Sequence, residues 1–305
     1  MNINQTIKPN PDLAIQVHGL TKSYGKIQAL KGIDLEVKRG EIFGFLGPNG
    51  AGKTTTIRCF LDMIRPDGGY AFLLGHNPQE NPLNVQMLTG YLPGEMQFYE
   101  NLTAERQLRF FCDMRNGRSE WSYVRKLADQ LDLNLKQPIK NLSKGNKQKI
   151  GVIQALMHKP DLLILDEPTS GLDPLMQKEV LVLLREANRQ GTTIFFSSHV
   201  MSEVENVAQR VAIIRAGKII EVAGTESLTH RTLNRFIVRF KQKIDISQIS
   251  RISGVTILSK NGSDQIKFQT TGEIQTVIQT LGTLPIQDLE TEHPSLEEIF
   301  LTYYQ

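Results

Sequence analysis

The chain has 305 residues, 40% of them hydrophobic, and 35 Lys plus Arg against 32 Asp plus Glu leave a formal charge of +3. That length suits about two domains with ample core, and so even a charge balance gives no basic footprint for nucleic acid or for an anionic membrane. Two cysteines, Cys59 and Cys112, fit neither a metal-ligand spacing nor a disulfide framework and read as thiols of a reducing compartment.

Residues 1–12 are polar and are expected to be a flexible tail without a secretory core. Strands are expected near 15–17, 33–37 and 42–46, then a helix from Lys53 to about Met63, stopped and turned by Pro66-Asp67-Gly68-Gly69. Residues 102–133 read as helical with a break at Asn116-Gly117, and 143–158 as another helix. A buried strand at 162–165, a helix at 174–188 and a buried strand at 192–196 follow. Short continuous apolar runs between helices point to an α/β domain with a parallel sheet. They are far shorter than the roughly 20 apolar residues of a membrane span, so a membrane role would come through a partner.

The pattern changes after about residue 228. Strand, short helix, strand, strand, helix, strand, helix is the expected order, with strands at 236–240, 255–258, 266–268 and 286–289. Asn261-Gly262 marks a hairpin turn. The order describes a small α+β domain of the split βαβ kind, without a catalytic cluster.

The segment Gly47-Pro48-Asn49-Gly50-Ala51-Gly52-Lys53-Thr54 fits G-x-x-x-x-G-K-[ST], between a strand and a helix. Its glycines let successive backbone N–H groups face a polyphosphate, and the helix N-terminus adds about half a positive charge. Lys53 would neutralise the β- and γ-phosphates, and Thr54 would give a hydroxyl to Mg²⁺. Thr55, next on the helix, belongs to the same ATP-binding set.

Asp166 and Glu167 end the run Leu162-Leu163-Ile164-Leu165. A carboxylate at the tip of a buried strand calls for a cation, so Asp166 is expected to hold Mg²⁺ and Glu167 to polarise the attacking water. Taken alone, such a pair reads equally as a helix cap. His199 follows the next strand, where ligands of parallel sheets bind, and is assigned to the γ-phosphate side. His18, His76, His158, His230 and His293 have no comparable setting.

Leu142-Ser143-Lys144-Gly145-Asn146 resembles L-S-G-G-Q, the signature motif of ABC-type ATPases. The loop at 47–54, the acids at 166–167, Ser170-Gly171-Leu172-Asp173 and His199 occur in that family's order, and the resemblance spans residues 15–225. Thr21-Lys22-Ser23-Tyr24-Gly25 resembles its aromatic segment, in which Tyr24 would stack on adenine. The resemblance implies a P-loop ABC-type ATPase domain at 13–229 with an α-helical subdomain at about 95–160, followed by the α+β domain at 230–305. It implies two copies facing head to tail, with ATP between one copy's phosphate loop and Ser143 and Gly145 of the other, and Asp173 communicating between sites. The implied partners are a second copy and a separate transmembrane permease, not nucleic acid, at the cytoplasmic face of the membrane.

Two departures stand out. Lys144 and Asn146 replace the first glycine and the glutamine of the signature, and Gly94 occupies the place of the family's Q-loop glutamine after Tyr91-Leu92-Pro93. Either Glu95 or water would then complete the Mg²⁺ site. The altered positions leave open a switch that binds ATP but hydrolyses little, and a non-transport ABC ATPase is the third reading. Residues 96–102 are expected on the surface that grips the permease. The Tyr-Leu-Pro segment and the ending Pro294-Ser295-Leu296-Glu297-Glu298-Ile299-Phe300 resemble exporters of drugs, lipids and polysaccharides. The C-terminal domain is expected either to regulate the ATPase or to extend the dimer interface and so stabilise the dimer.

Overall fold

The computed structural model describes residues 8–115, 119–225, 227, 234–242, 245, 247–262, 264–270 and 274–292. Asn116-Gly117, His230, His293, the ending at 294–300 and the helix expected there lie outside the described residues. The chain forms two compact units, Met1–Ala223 and Gly224–Gln305.

The first unit contains two sheets. One is antiparallel, in the order β2 (Ile27–Lys38), β1 (Leu13–Tyr24), β4 (Gly68–Leu73). Along β2, Ile33, Leu35 and Val37 are buried while Asp34, Glu36 and Lys38 are exposed, the alternation of a sheet with one wet face. The second sheet has six strands in the order β5 (Thr89–Leu92), β6 (Leu162–Asp166), β7 (Thr193–Ser198), β3 (Ile42–Leu46), β8 (Arg210–Arg215), β9 (Lys218–Gly224). The pairs from β5 to β8 are parallel. Strands β3, β6 and β7 are buried along their whole length, so they read as unbroken apolar runs.

Helix α1 (Lys53–Phe60) joins the two sheets. Its Ile57, Cys59 and Phe60 share one core with Leu20, Leu30 and Ile33 of the antiparallel sheet and with Phe43, Phe45, Ile164 and Phe195 of the parallel one. Phe195 is the hub, with ring centroids 5.3–6.0 Å from Phe43, Phe45 and Phe60. Burial raises the Cys59 thiol to about 11, so this cysteine is a packing residue. Helix α2 (Pro82–Leu88) precedes β5; α3 (Ala104–Met114), α4 (Trp121–Gln130) and α5 (Lys144–Leu156) fill the chain between β5 and β6. Helix α6 (Pro174–Arg189) and α7 (Met201–Val207) flank β7 in sequence.

The second unit is a four-stranded antiparallel sheet in the order β11 (Val255–Asn261), β12 (Gln265–Thr270), β10 (Asn234–Phe240), β13 (Ile286–Glu292), with α8 (Ser247–Ser250) and α9 (Ile274–Gly282). Its first two strands are separated by the third, which is the split βαβ order. Phe236, Val238, Phe240, Ile266 and Phe268 form its core with Ile249, Val277 and Leu281.

The structure corrects several local expectations. Gly68-Gly69 does not simply turn the chain; it starts β4. A Cβ on Gly69, at φ +77°, would stand 2.4 Å from the Gly19 backbone, so glycine is what lets β4 reach β1. The helix expected to run to Met63 ends at Phe60, and the strand expected at 192–196 runs on through Ser197 and Ser198. Asn261 pairs with Gln265 across the hairpin, and Gly262 takes φ +69°. Strands β4, β5, β8 and β9 went unread from sequence. We expect Gly69→Ala to lower the stability of the first unit by about 2 kcal/mol or more in denaturant unfolding. Gly282→Ala, at a position with nothing within 4 Å of an added Cβ, should be neutral or stabilising by up to about 1 kcal/mol.

Candidate active site

The phosphate loop leaves β3 at Leu46 and enters α1 at Lys53. A Cβ at Gly47 would lie 2.5 Å from the Ile214 carbonyl oxygen, so only glycine permits this exit beside β8. The loop is anchored from outside: Gly47 N–H donates to Ser198 O at 3.3 Å, and Gly217 N–H donates to Ala51 O at 2.9 Å. Helix α1 begins with no side-chain cap and no acid in its first turn, which leaves its positive end for an anion.

A cavity of about 160 Å³ lies at that end, lined by Ala29, Pro48, Asn49, Gly50, Gly52, Lys53, Thr54, Thr55 and Glu167. Gly47 and Ala51 are not among its lining residues, and Ala51 is buried. The space suits phosphates rather than a whole nucleotide, since small-molecule pockets usually reach about 300 Å³ or more. The Lys53 ammonium is buried and already oriented. It donates to Gly47 O at 2.7 Å and Pro48 O at 3.3 Å, and stands 3.5 Å from Glu167 Oε1.

Asp166, at the end of β6, is buried and held by two hydroxyls. Thr54 Oγ1 donates to Oδ2 at 2.6 Å, and Ser197 Oγ donates to Oδ1 at 2.5 Å. Thr54 and Asp166 thus offer hard oxygen donors at the cavity edge. This sparse set fits Mg²⁺, which is commonly held by one or two protein oxygens, substrate phosphates and water. Gly94 passes close by: an added Cβ would be 3.2 Å from Asp166 Oδ2. A side chain there would reach the Asp166 carboxylate, and Gly94 has none; Glu95 is exposed to solvent.

Glu167 has φ +55°, a strained conformation for a residue with a side chain. Its N–H is held at 3.2 Å from both Ser197 O and Ser197 Oγ. Its Oε1 lies 3.2 Å from His199 Nδ1. The structure therefore places His199 against the glutamate, and brings together Lys53, Thr54, Asp166, Glu167 and His199.

Ser143, Gly145, Asp173 and Tyr24 do not line the cavity. Ser143 caps α5, accepting from Asn146 N at 3.2 Å, and Asp173 caps α6, accepting from Leu175 N and Met176 N at 3.0 Å. The Lys144 stem lies over Gly171. Tyr24 is half-exposed at the end of β1. Asp67 steadies its segment, accepting from Lys22 Nζ at 3.0 Å and Ser23 N at 2.6 Å, and these bonds hold the Asp67 carboxyl below its usual range.

Ser197 was missed from sequence. Its signal is its position: it is the first polar residue after the apolar run of β7, in register with Asp166. Gln148, a buried amide of α5, was missed too. It donates to Glu167 O at 3.1 Å and Pro168 O at 3.0 Å.

The family profile described as ABC transporter matches residues 30–170. The chain is 30% identical over 302 residues to the linearmycin resistance ATP-binding protein LnrL of Bacillus subtilis (strain 168), covering 94% of this chain and 97% of that one. It is 36% identical over 249 residues to the bacitracin transport ATP-binding protein BcrA of Bacillus licheniformis, covering 76% and 80% of the two chains. A solved ATP-binding subunit of an ABC transporter superposes with a TM-score of 0.65 at 30% identity, covering 72% of this chain and 92% of that one. The phosphate loop and the Asp166–Glu167 tip have the geometry of an ATPase, and these relatives show that the chain belongs to the ATP-binding proteins of ABC transporters.

Proposed function

We propose that this chain is the ATP-hydrolysing motor of a drug-type exporter and works as a head-to-tail dimer on a separate membrane subunit. The observation that carries this reading is the split in the site. Lys53, Thr54 and Glu167 line one cavity, with Asp166 bonded to Thr54 and His199 paired with Glu167, while Ser143 and Gly145 open a helix that does not line it. A second copy would bring that helix N-terminus to the γ-phosphate, with Asp173 beside the joint and Tyr24 under the adenine. The Ser143 oxygen already accepts from Asn146 N, and its hydroxyl proton remains available to a phosphate oxygen.

Bound Mg²⁺, held by Thr54 and Asp166, would neutralise charge on the β- and γ-phosphates. Lys53 would exchange its two loop carbonyls for phosphate oxygens. Glu167, aimed by its strained backbone, would polarise water, and His199 would steady the glutamate and the γ-phosphate. The assembly of this group supports turnover over a binding-only switch.

Among the described residues no helix is long and apolar enough to cross a membrane; the membrane subunit is proposed as a separate chain, with this one at its cytoplasmic face. A groove of about 170 Å³ between Leu61, Met63, Gln86, Tyr91 and Arg115 supports a docking place. Tyr99 and Phe110, 60% and 45% exposed, pack edge to face, and this exposed apolar pair favours a partner. Export is proposed on the names of LnrL and BcrA. The match to LnrL runs nearly end to end, so we assign the C-terminal unit to the same machine, as an accessory to the dimer.

In assays with ATP and Mg²⁺, Glu167→Gln should keep parent-like ATP affinity and lose about 100-fold or more in kcat; parent-rate turnover would contradict the assignment. Ser197→Ala, which strips Asp166 of one partner and the Glu167 N–H of another, should cut kcat by about tenfold or more, the loss of roughly 1–3 kcal/mol of positioning, in the same steady-state assay.

A further inference from the structure

Gln148 links two parts of the chain that, in the dimer proposed above, serve different ATP molecules. Its amide is buried and spans the Glu167 and Pro168 carbonyls at 3.1 and 3.0 Å. It sits in the second turn of α5, whose first residues act on the second copy's ATP. The same helix touches the far end of the loop that starts at Glu167. A Cβ on Gly145 would lie 2.9 Å from Gly171 O, and one on Gly171 would meet the Lys144 stem at 3.2 Å.

On its other side this loop is tied down. Thr169 Oγ1 donates to Glu203 Oε1 at 2.5 Å, and Ser198 Oγ donates to Glu203 Oε2 at 2.8 Å. Glu203 is buried in α7 and so fixes Thr169 to the tip of β7, next to His199. With Thr169 held, a shift of α5 acts on the peptide of Glu167 itself. That residue sits at φ +55°, where small backbone changes re-aim the carboxylate.

We propose that Gln148 is a positioning residue that couples the two sites: when Ser143 and Gly145 engage the second copy's ATP, α5 sets the Glu167 carboxylate through Gln148. The inference rests on the head-to-tail reading, and the experiment separates the two. The full chain is taken with ATP and Mg²⁺, and Gln148→Met keeps the side-chain volume while removing both hydrogen bonds.

First, the Glu167→Gln chain is examined for ATP-driven dimer formation by light scattering. Its absence overturns the dimer and the coupling together. With the dimer established, the parent should hydrolyse ATP with a Hill coefficient above unity. Gln148→Met should bind ATP as the parent does, lose about 10- to 100-fold in kcat, as expected for a small misplacement of a reacting group, and fall toward a Hill coefficient of unity. A parent coefficient of unity, or parent-like kcat and cooperativity in Gln148→Met, overturns the coupling alone. Gln148→Glu gives a second readout that survives a loss of stability. Its carboxylate cannot donate when ionised and donates once when protonated, so its Hill coefficient should recover as the assay pH is lowered from about 8 to about 6, a window that a buried glutamate reaches. A merely structural residue would shift the melting temperature and show no such recovery; a flat profile overturns the proposal.

Discussion

The site depends on one hydroxyl. Ser197 Oγ donates to Asp166 and accepts from the Glu167 N–H, so a single side chain on β7 fixes two consecutive residues at the tip of β6. The arrangement works because the strands are parallel and in register at Asp166 and Ser197. Parallel neighbours end at the same edge of the sheet, and their tips can therefore build a site together. The buried Asp166 carboxylate is compensated by two hydroxyls, which removes much of the cost of holding a charge inside the protein. Glu167, forced to a positive φ by the same anchorage, keeps its side chain at the cavity while its carbonyl turns inward to Gln148.

The fold around this junction is a frame for a phosphate-sized cavity. Helix α1 is fastened by its apolar face to both sheets at once, so its N-terminus is rigid where the phosphates would lie. Lys53 is already folded back on the loop carbonyls. The ligand therefore meets an oriented charge and little side-chain entropy is lost on binding. Ser143 and Asp173, proposed above to serve a second copy's ATP, sit elsewhere in the same chain, at the caps of α5 and α6. Those two ends are stabilised within the monomer by Ser143 and Asp173, which accounts for their order without a second copy.

Much of this was legible in the sequence where one local pattern decides one structure. The run 162–165 gives a fully buried strand because nothing polar interrupts it, and the phosphate loop is recognised by its own spacing. The C-terminal order as far as the strand Ile286–Glu292 was legible for the same reason. Strand β4 was not, because Gly69 acts through a contact with Gly19 fifty residues earlier in the chain. The hairpin of β8 and β9 turns on Ala216-Gly217, both at positive φ, a two-residue turn that a search for Asn-Gly or Asp-Gly overlooks. Ser197, Gln148 and Glu203 are ordinary polar residues whose roles arise from what the fold sets beside them. The departures at Lys144 and Gly94 were visible as changes of residue type. Only the structure shows that the first lies over Gly171 and that the second leaves room beside Asp166.

The central claim is that one chain holds half of the catalytic site, completed by Ser143 of another. It is tested most directly by an interchain disulfide. Asn49→Cys is placed on one tagged Glu167→Gln chain and Ser143→Cys on another, with Cys112 replaced in both. ATP with Mg²⁺ should bring the two sulfurs together and yield the mixed disulfide, and nucleotide-free protein should not. Stoichiometric ATP binding with no interchain disulfide, or the same yield without ATP, would contradict the account.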